Sequence, residues 1–281
     1  MGMAGLSQIL RVKEKSAANG FEKKDTSVIL LWLDGGPGHM DLYNLRPEAP
    51  AEYAGIWRPI HTNVLGFDIG ELFPLQAKIA DKFSIVRSLY HNSGGHFVGG
   101  HWMLTGRRGP GSANVSLSPS IGSMVTKALG ARKSGMPAYV SVSVVSSIGL
   151  RPGYFGGHFL GHQHNPFETG ADPNIANFKV QNIQLAKSLA VERLENRRAL
   201  LQKFDTFRRD ADRSGMIEAM DHFERQAFDF VTGPRARKAF DFSSEDPRIR
   251  DRYGRNSWGQ STLLARRLVE AGSTFVTCHF G

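Results

Sequence analysis

The sequence predicts an α/β layered fold built on a parallel or mixed central sheet, and three observations carry that expectation. Residues 27–33 form a continuous apolar run bounded by Lys23-Lys24-Asp25 and by Gly35-Gly36. Its length, with Val28 and Ile29, suits a fully buried strand. Further apolar runs at 83–89 (FSIVRSL) and 138–145 (AYVSVSVV) alternate with helix-like patterns, as layered α/β chains do. Near the end, an amphipathic stretch at 257–271 stops at Gly272, a natural helix C-cap, and TFVTC at 274–278 returns as a strand.

Between these runs, Leu72, Leu75, Ile79 and Ala80 recur at helical spacing, and residues 121–129 read as a helix that Pro137 separates from the next strand. Residues 150–182 change character to a long loop rich in Gly, Pro and His. Residues 185–272 read as a helical region, with an apolar stripe through Leu185, Leu189, Leu194, Leu200, Leu201, Phe204 and Phe207. Gly233-Pro234 and Asp246-Pro247 punctuate its shorter helices. Residues 25–281 are expected to form most of one domain. Residues 1–24 read as a leader or the remnant of an export signal, since only the tail of such a signal is present and no twin arginine occurs.

Composition bounds the function. The chain has 281 residues, 41% hydrophobic and 22% charged, enough for a sizeable core. The net charge of +9 is spread as +5 over residues 1–180 (17 basic, 12 acidic) and +4 over 181–281 (18 basic, 14 acidic). That distribution lacks the basic stripe a nucleic-acid partner wants. No apolar run reaches the ~20 residues of a membrane-spanning helix. One cysteine excludes an internal disulfide framework and a cysteine-rich zinc site.

Two stretches look built for chemistry. Asp34 follows the first strand and precedes Gly35, Gly36, Gly38, His39 and Asp41. Sites in parallel sheets lie beyond the carboxyl ends of strands, and a carboxylate there can ligate a cation. It can equally cap the next turn. The glycines do not match a phosphate loop. The second stretch is HNSGGHFVGGHWMLTG at 91–106, which follows the FSIVRSL run and so should also sit at a strand's carboxyl end; it holds His91, His96 and His101 beside Asn92 and Ser93 in a glycine-rich setting. Neutral imidazole is a common ligand for zinc-like metals. His158, His162 and His164 in the long loop either line the same cleft or belong to a solvated connection.

LWLDGGPGHMDLYNLRPEAP, the H…GGHWMLTG block, LRPGYFGGHFLG with NPFETGADPN, and RDRYGRNSWGQSTLLARRLVEAGSTFV together resemble the domain of unknown function 1501 family, from about Lys24 to Gly281. That family is placed in the alkaline phosphatase/sulfatase superfamily and is mostly bacterial and exported. The resemblance implies an alkaline-phosphatase-like sheet between helices, with divalent metal (zinc, magnesium, manganese or calcium) at the strand ends. It makes Asp34 the first ligand, with Asp41 and His39 supporting or ligating. The superfamily's nucleophile stands ten residues before the glycine of a Thr-Gly pair; Thr105-Gly106 places His96 there, where Ser, Thr or a modified Cys is usual. His96 and His91 would then face the transferred group, with Ser93 the nearest hydroxyl. The family's further ligands follow a Gly-Trp-Asp-x-His-like motif that would begin near Gly281, so the carboxyl-terminal part of the fold is expected to be missing. The implied function is hydrolysis of a sulfate or phosphate ester on a small molecule or glycan. The alternative is a non-catalytic exported binder of anionic polysaccharide. With its signal incomplete, this chain could equally remain cytoplasmic.

Overall fold

The structure is a computed structural model, and it describes residues 26–35, 38–111, 117–143, 153–180, 196, 230 and 233–280. The expected helical stripe from Leu185 to Phe207 lies outside the described residues. The fold is mixed α/β with a mostly parallel central sheet. Its strands are β1 (Val28–Leu33), β4 (Tyr139–Val142), β5 (Phe167–Glu168) and β6 (Phe275–Phe280), in the order β1-β6-β4-β5. A separate antiparallel ribbon pairs β2 (Pro59–His61) with β3 (Asp68–Gly70). The helices are α1 (Pro74–Ala77), α2 (His96–Thr105), α3 (Ile121–Leu129), α4 (Pro234–Phe240), α5 (Pro247–Tyr253) and α6 (Ser257–Ala271).

β4 pairs in parallel with β5 and with β6, Val140 facing Phe167 on one side and Val276 on the other. The Val28 amide donates to the Thr274 carbonyl and the Asp34 amide to the Phe280 carbonyl, both at 2.9 Å. Both pairs advance six residues in the same sense, so β1 also runs parallel to β6.

The chain divides into two compact units, one of residues 1–30, 125–143 and 167–278 and the other of residues 31–124, 144–166 and 279–281. In the first, α6 packs on β4, and α4 and α5 pack on α6. The reason is the apolar face of α6: Leu263, Leu264, Ala265 and Leu268 are fully buried, as are Val140, Val142 and Val276 in the strands. Asn256 caps the start of α6 by accepting the Gly259 amide at 2.8 Å, and Gly272 ends it at φ 121°. Pro234 and Pro247 open α4 and α5 at the one position where a missing N–H costs nothing.

A buried ion cluster ties these helices together. The Glu245 carboxylate accepts from Arg266 at 3.3 Å and from Arg267 on α6. Arg267 also donates to the carbonyls of Lys238, Ala239 and Asp241, at 2.7, 3.0 and 2.7 Å. Those groups lie at the carboxyl end of α4, where carbonyls lack helical partners.

In the second unit, α1 packs on β2, and α2 packs on the turn Gly153–Phe155. Tyr43 stacks on Phe73 with centroids 4.9 Å apart and donates its hydroxyl to Gln76. The buried residues here include Ile69, Ala77, Ala80, Leu104, Tyr154 and Phe155.

Three expectations need correction. β1 is not fully buried: Val28, Leu31 and Leu33 are 39%, 49% and 48% exposed. It is an edge strand, as β5 is at the other end, and the strands covered on both sides are β4 and β6. FSIVRSL forms no strand and has no ladder partner among the described residues. Phe83 instead packs edge-on against Phe67, and Arg87 lies over the same ring. The helical pattern at 72–80 yields only α1 and a 3-10 turn at Ala80–Lys82, with Leu72, Leu75 and Ile79 exposed.

Arg267→Ala leaves the Glu245 carboxylate with Arg266 alone and strips three carbonyls of their donor together. The substitution is expected to cost about 3–5 kcal/mol in chemical denaturation, with Arg267→Lys recovering only part because it lacks the planar fork.

Candidate functional site

The second unit gathers chemistry-bearing residues from distant parts of the chain. Asp34 follows β1 and is half-buried, its amide fixed to the Phe280 carbonyl. His279, the neighbour of Phe280 on β6, is only 6% exposed. The Asp34 carboxylate lies close enough to act electrostatically on the His279 ring. Phe155 meets that ring edge-on, with centroids 5.3 Å apart, and Trp32 meets Phe155 at 6.3 Å. Tyr154, adjacent in the same turn, is buried against α2 so closely that a Cβ on Gly100 would stand 2.8 Å from its ring. Glycine at position 100 is therefore what lets α2 settle on this turn.

α2 brings the second chemical stretch. His96 is its first residue and is exposed. A Cβ on Gly35 would lie 3.9 Å from His96 Cε1, so His96 stands beside the turn that follows Asp34. His91 precedes the helix, half-buried, and its Nδ1 accepts the Ser93 amide at 3.3 Å. The Ser93 hydroxyl accepts the Gly95 amide at 3.3 Å. The block does not follow a strand as its sequence suggested; α2 itself sets its position.

His101 is structural. It is 1% exposed, its Nε2 accepts the Leu117 amide at 3.3 Å, and its Nδ1 donates to the Arg107 carbonyl at 2.7 Å. Both ring nitrogens are engaged with backbone, which pins the chain that leaves α2.

His39 and Asp41 lie on a 3-10 turn. His39 Nδ1 is 3.2 Å from Asn44 Nδ2. The Asp41 carboxylate sits against the backbone at Gly38 and Gly55, where a Cβ would come within 3.2 and 3.3 Å of its oxygens. His158, His162 and His164 occupy two successive 3-10 turns, with His158 and His162 exposed. The structure thus brings Asp34, His96 and His279 toward one turn, and it ties His39 and Asp41 to their own loop. Among the described residues, no group of three or more His, Cys, Asp or Glu is disposed to hold a metal ion.

The family described as "Protein of unknown function (DUF1501)" matches residues 25–281. The chain belongs to the DUF1501 family. No curated protein matches it, and no solved structure does. Among the described residues of this DUF1501 chain, no helix is long and apolar enough to cross a membrane.

The DUF1501 chain's His279 is the site residue that sequence reasoning did not select. A histidine ending an apolar run was visible, but its neighbour Asp34 was not, because their proximity comes from strand pairing. Burial pulls the His279 imidazole below its ordinary value, and the Asp34 carboxylate partly opposes that shift. The preceding residue, Cys278, is fully buried and its thiol is pushed up to about 12 by burial. It is therefore inert packing rather than a nucleophile.

Two outcomes follow from these environments. Because the folded His279 value lies below the unfolded one, the unfolded chain binds the extra proton first as pH falls through the ordinary value of 6.5. Stability is therefore expected to drop between pH 7.5 and 5.5 in thermal melts, and His279→Gln should flatten that slope. Cys278 is expected to resist alkylation in the native protein at pH 8 and to react once denaturant is added, which mass spectrometry reads directly.

Proposed function

We propose that this chain carries the site of a metal-dependent hydrolase of the alkaline phosphatase/sulfatase kind, acting on a phosphate or sulfate ester. The observation that carries the reading is the Asp34–His279 pair at the carboxyl ends of two adjacent parallel strands, with His96 beside the same turn. Ligand sites of parallel sheets form at such strand ends.

The donors present fit a divalent cation in kind but not in number. A carboxylate and a buried, neutral imidazole suit zinc or manganese. They are two donors where a stable site uses about four. No catalytic step is therefore routed through the ion here. When bound, the metal supplies charge that polarises the ester and lowers the pKa of an attacking group.

The protein's own part is clearer. Asp34 presents an oxygen donor on a backbone held by the Phe280 carbonyl. His279 offers a neutral nitrogen because burial disfavours its charged form. His96, exposed at the start of α2, faces the ester as base or phosphoryl acceptor. A histidine there cannot become formylglycine, so the reading differs from ordinary sulfatase chemistry. The Ser93 hydroxyl accepts the Gly95 amide and keeps its own proton and a second lone pair, so it stays a candidate hydroxyl in this scheme. His39 and Asp41 would hold the loop that follows the Asp34 turn, His39 against Asn44 and Asp41 against Gly38 and Gly55. An exported location accords with this reading.

The same histidine favours a second reading, a non-catalytic binder of anionic polysaccharide, as does the net charge of +9. Aryl phosphate and aryl sulfate turnover, measured after chelation and after adding back zinc, magnesium, manganese or calcium, separates the two. The hydrolase reading expects metal-restored turnover that Asp34→Asn lowers by about a hundredfold. Turnover indifferent to chelator and to Asp34→Asn defeats it, and glycan binding without turnover supports the binder.

A further inference from the structure

Hydrogen bonding sorts the three histidines of residues 91–105 into different duties. His101 spends both ring nitrogens on backbone. The His96 side chain makes no hydrogen bond among the described residues and stands next to Gly35. His91 does something else: it fastens the approach segment to the helix.

Its Nδ1 accepts the Ser93 amide, and the Ser93 hydroxyl accepts the amide of Gly95, the N-cap residue of α2, each at 3.3 Å. The opposite edge of the imidazole rests on the helix. A Cβ on Gly99 would come within 3.3 Å of His91 Cε1 and Nε2. The ring also stacks on Trp102 at 21°, with centroids 6.1 Å apart. One ring thus grips α2 at its fourth and seventh residues while relaying two hydrogen bonds to the residues before its first. The N-cap residue is a glycine, with no side chain to cap that end of the helix. The direction in which the chain enters α2 is normally set by a cap; here this clasp sets it. His96, as the first helical residue, depends on that direction most.

We propose that His91 is a positioning residue whose clasp on Ser93, Gly95 and the face of α2 fixes where His96 stands against Gly35. The inference rests on reading His96 as the group that faces the ester. It changes the duty assigned to His91 from facing the transferred group to holding the residue that does.

The test uses the full chain, labelled with nitrogen-15, with the His96 ring signals assigned by their loss in His96→Gln. His91→Phe keeps a ring on Gly99 and Trp102 but removes the acceptor. His91→Asn removes the ring but offers an oxygen near the place of Nδ1. The expected result is that His91→Phe moves the His96 ring signals with little change in melting temperature. In turnover it should lower kcat by about tenfold to a hundredfold, with KM nearly unchanged. His91→Asn should return both readouts toward the parent values. Unmoved His96 signals in a folded His91→Phe protein overturn the inference, and so does His91→Asn behaving no better than His91→Phe. Should His91→Phe fail to fold, Gly99→Ala displaces the ring by a few tenths of an ångström while favouring the helix. Unmoved His96 signals there are equally fatal. A chain that turns over no ester removes the hydrolase reading, and the ring signals still decide the clasp.

Discussion

The register of β1 against β6 is the constraint on which the rest depends. Two segments 246 residues apart meet at Ser27, whose hydroxyl donates to the Ser273 carbonyl, and stay paired to Asp34 and Phe280. A slip of one residue would turn every side chain of the strand to the other face. Asp34 would then leave its place beside His279. Closing so long a loop is entropically costly, though the cost grows only slowly with length. The offset comes from β6, whose six residues are all buried, and from the apolar face of α6 beside β4.

Burial then decides what each polar group can do. Glu245 and Arg267 are both nearly inaccessible, and each has more than one partner. Left alone, either would be costly to bury. His279 is buried with the Asp34 carboxylate near it, and burial is the larger influence. The result is an imidazole whose charged form burial disfavours, set beside a carboxylate, and the proposed cation site rests on that pair. His101 shows the contrasting solution, an imidazole whose two nitrogens both serve the backbone.

Much of the fold was legible in residue order. The bounds of α3 and α6 match the apolar periodicity and the Gly272 stop, and the two Gly-Pro and Asp-Pro pairs do mark the starts of α4 and α5. FSIVRSL misled because apolar alternation reports that side chains find cover, not that a backbone neighbour exists. Its Phe83 found cover on Phe67. β1 misled in the opposite way: an unbroken apolar run reads as covered on both faces, yet the strand took the edge.

The sequence by itself determined where the chemistry could be. It placed Asp34 after a strand and three histidines within a glycine-rich block, all of which are local properties of spacing and side-chain type. Only the tertiary structure decided which histidine does what. His91, His96 and His101 look alike in a row of residues. They part ways through Gly99 and Trp102, Gly35, and Leu117 respectively. His279 joined Asp34 because parallel pairing aligned the ends of β1 and β6. Hydrogen-bond partners and burial depend on neighbours far along the chain, and spacing within a short motif carries no record of them.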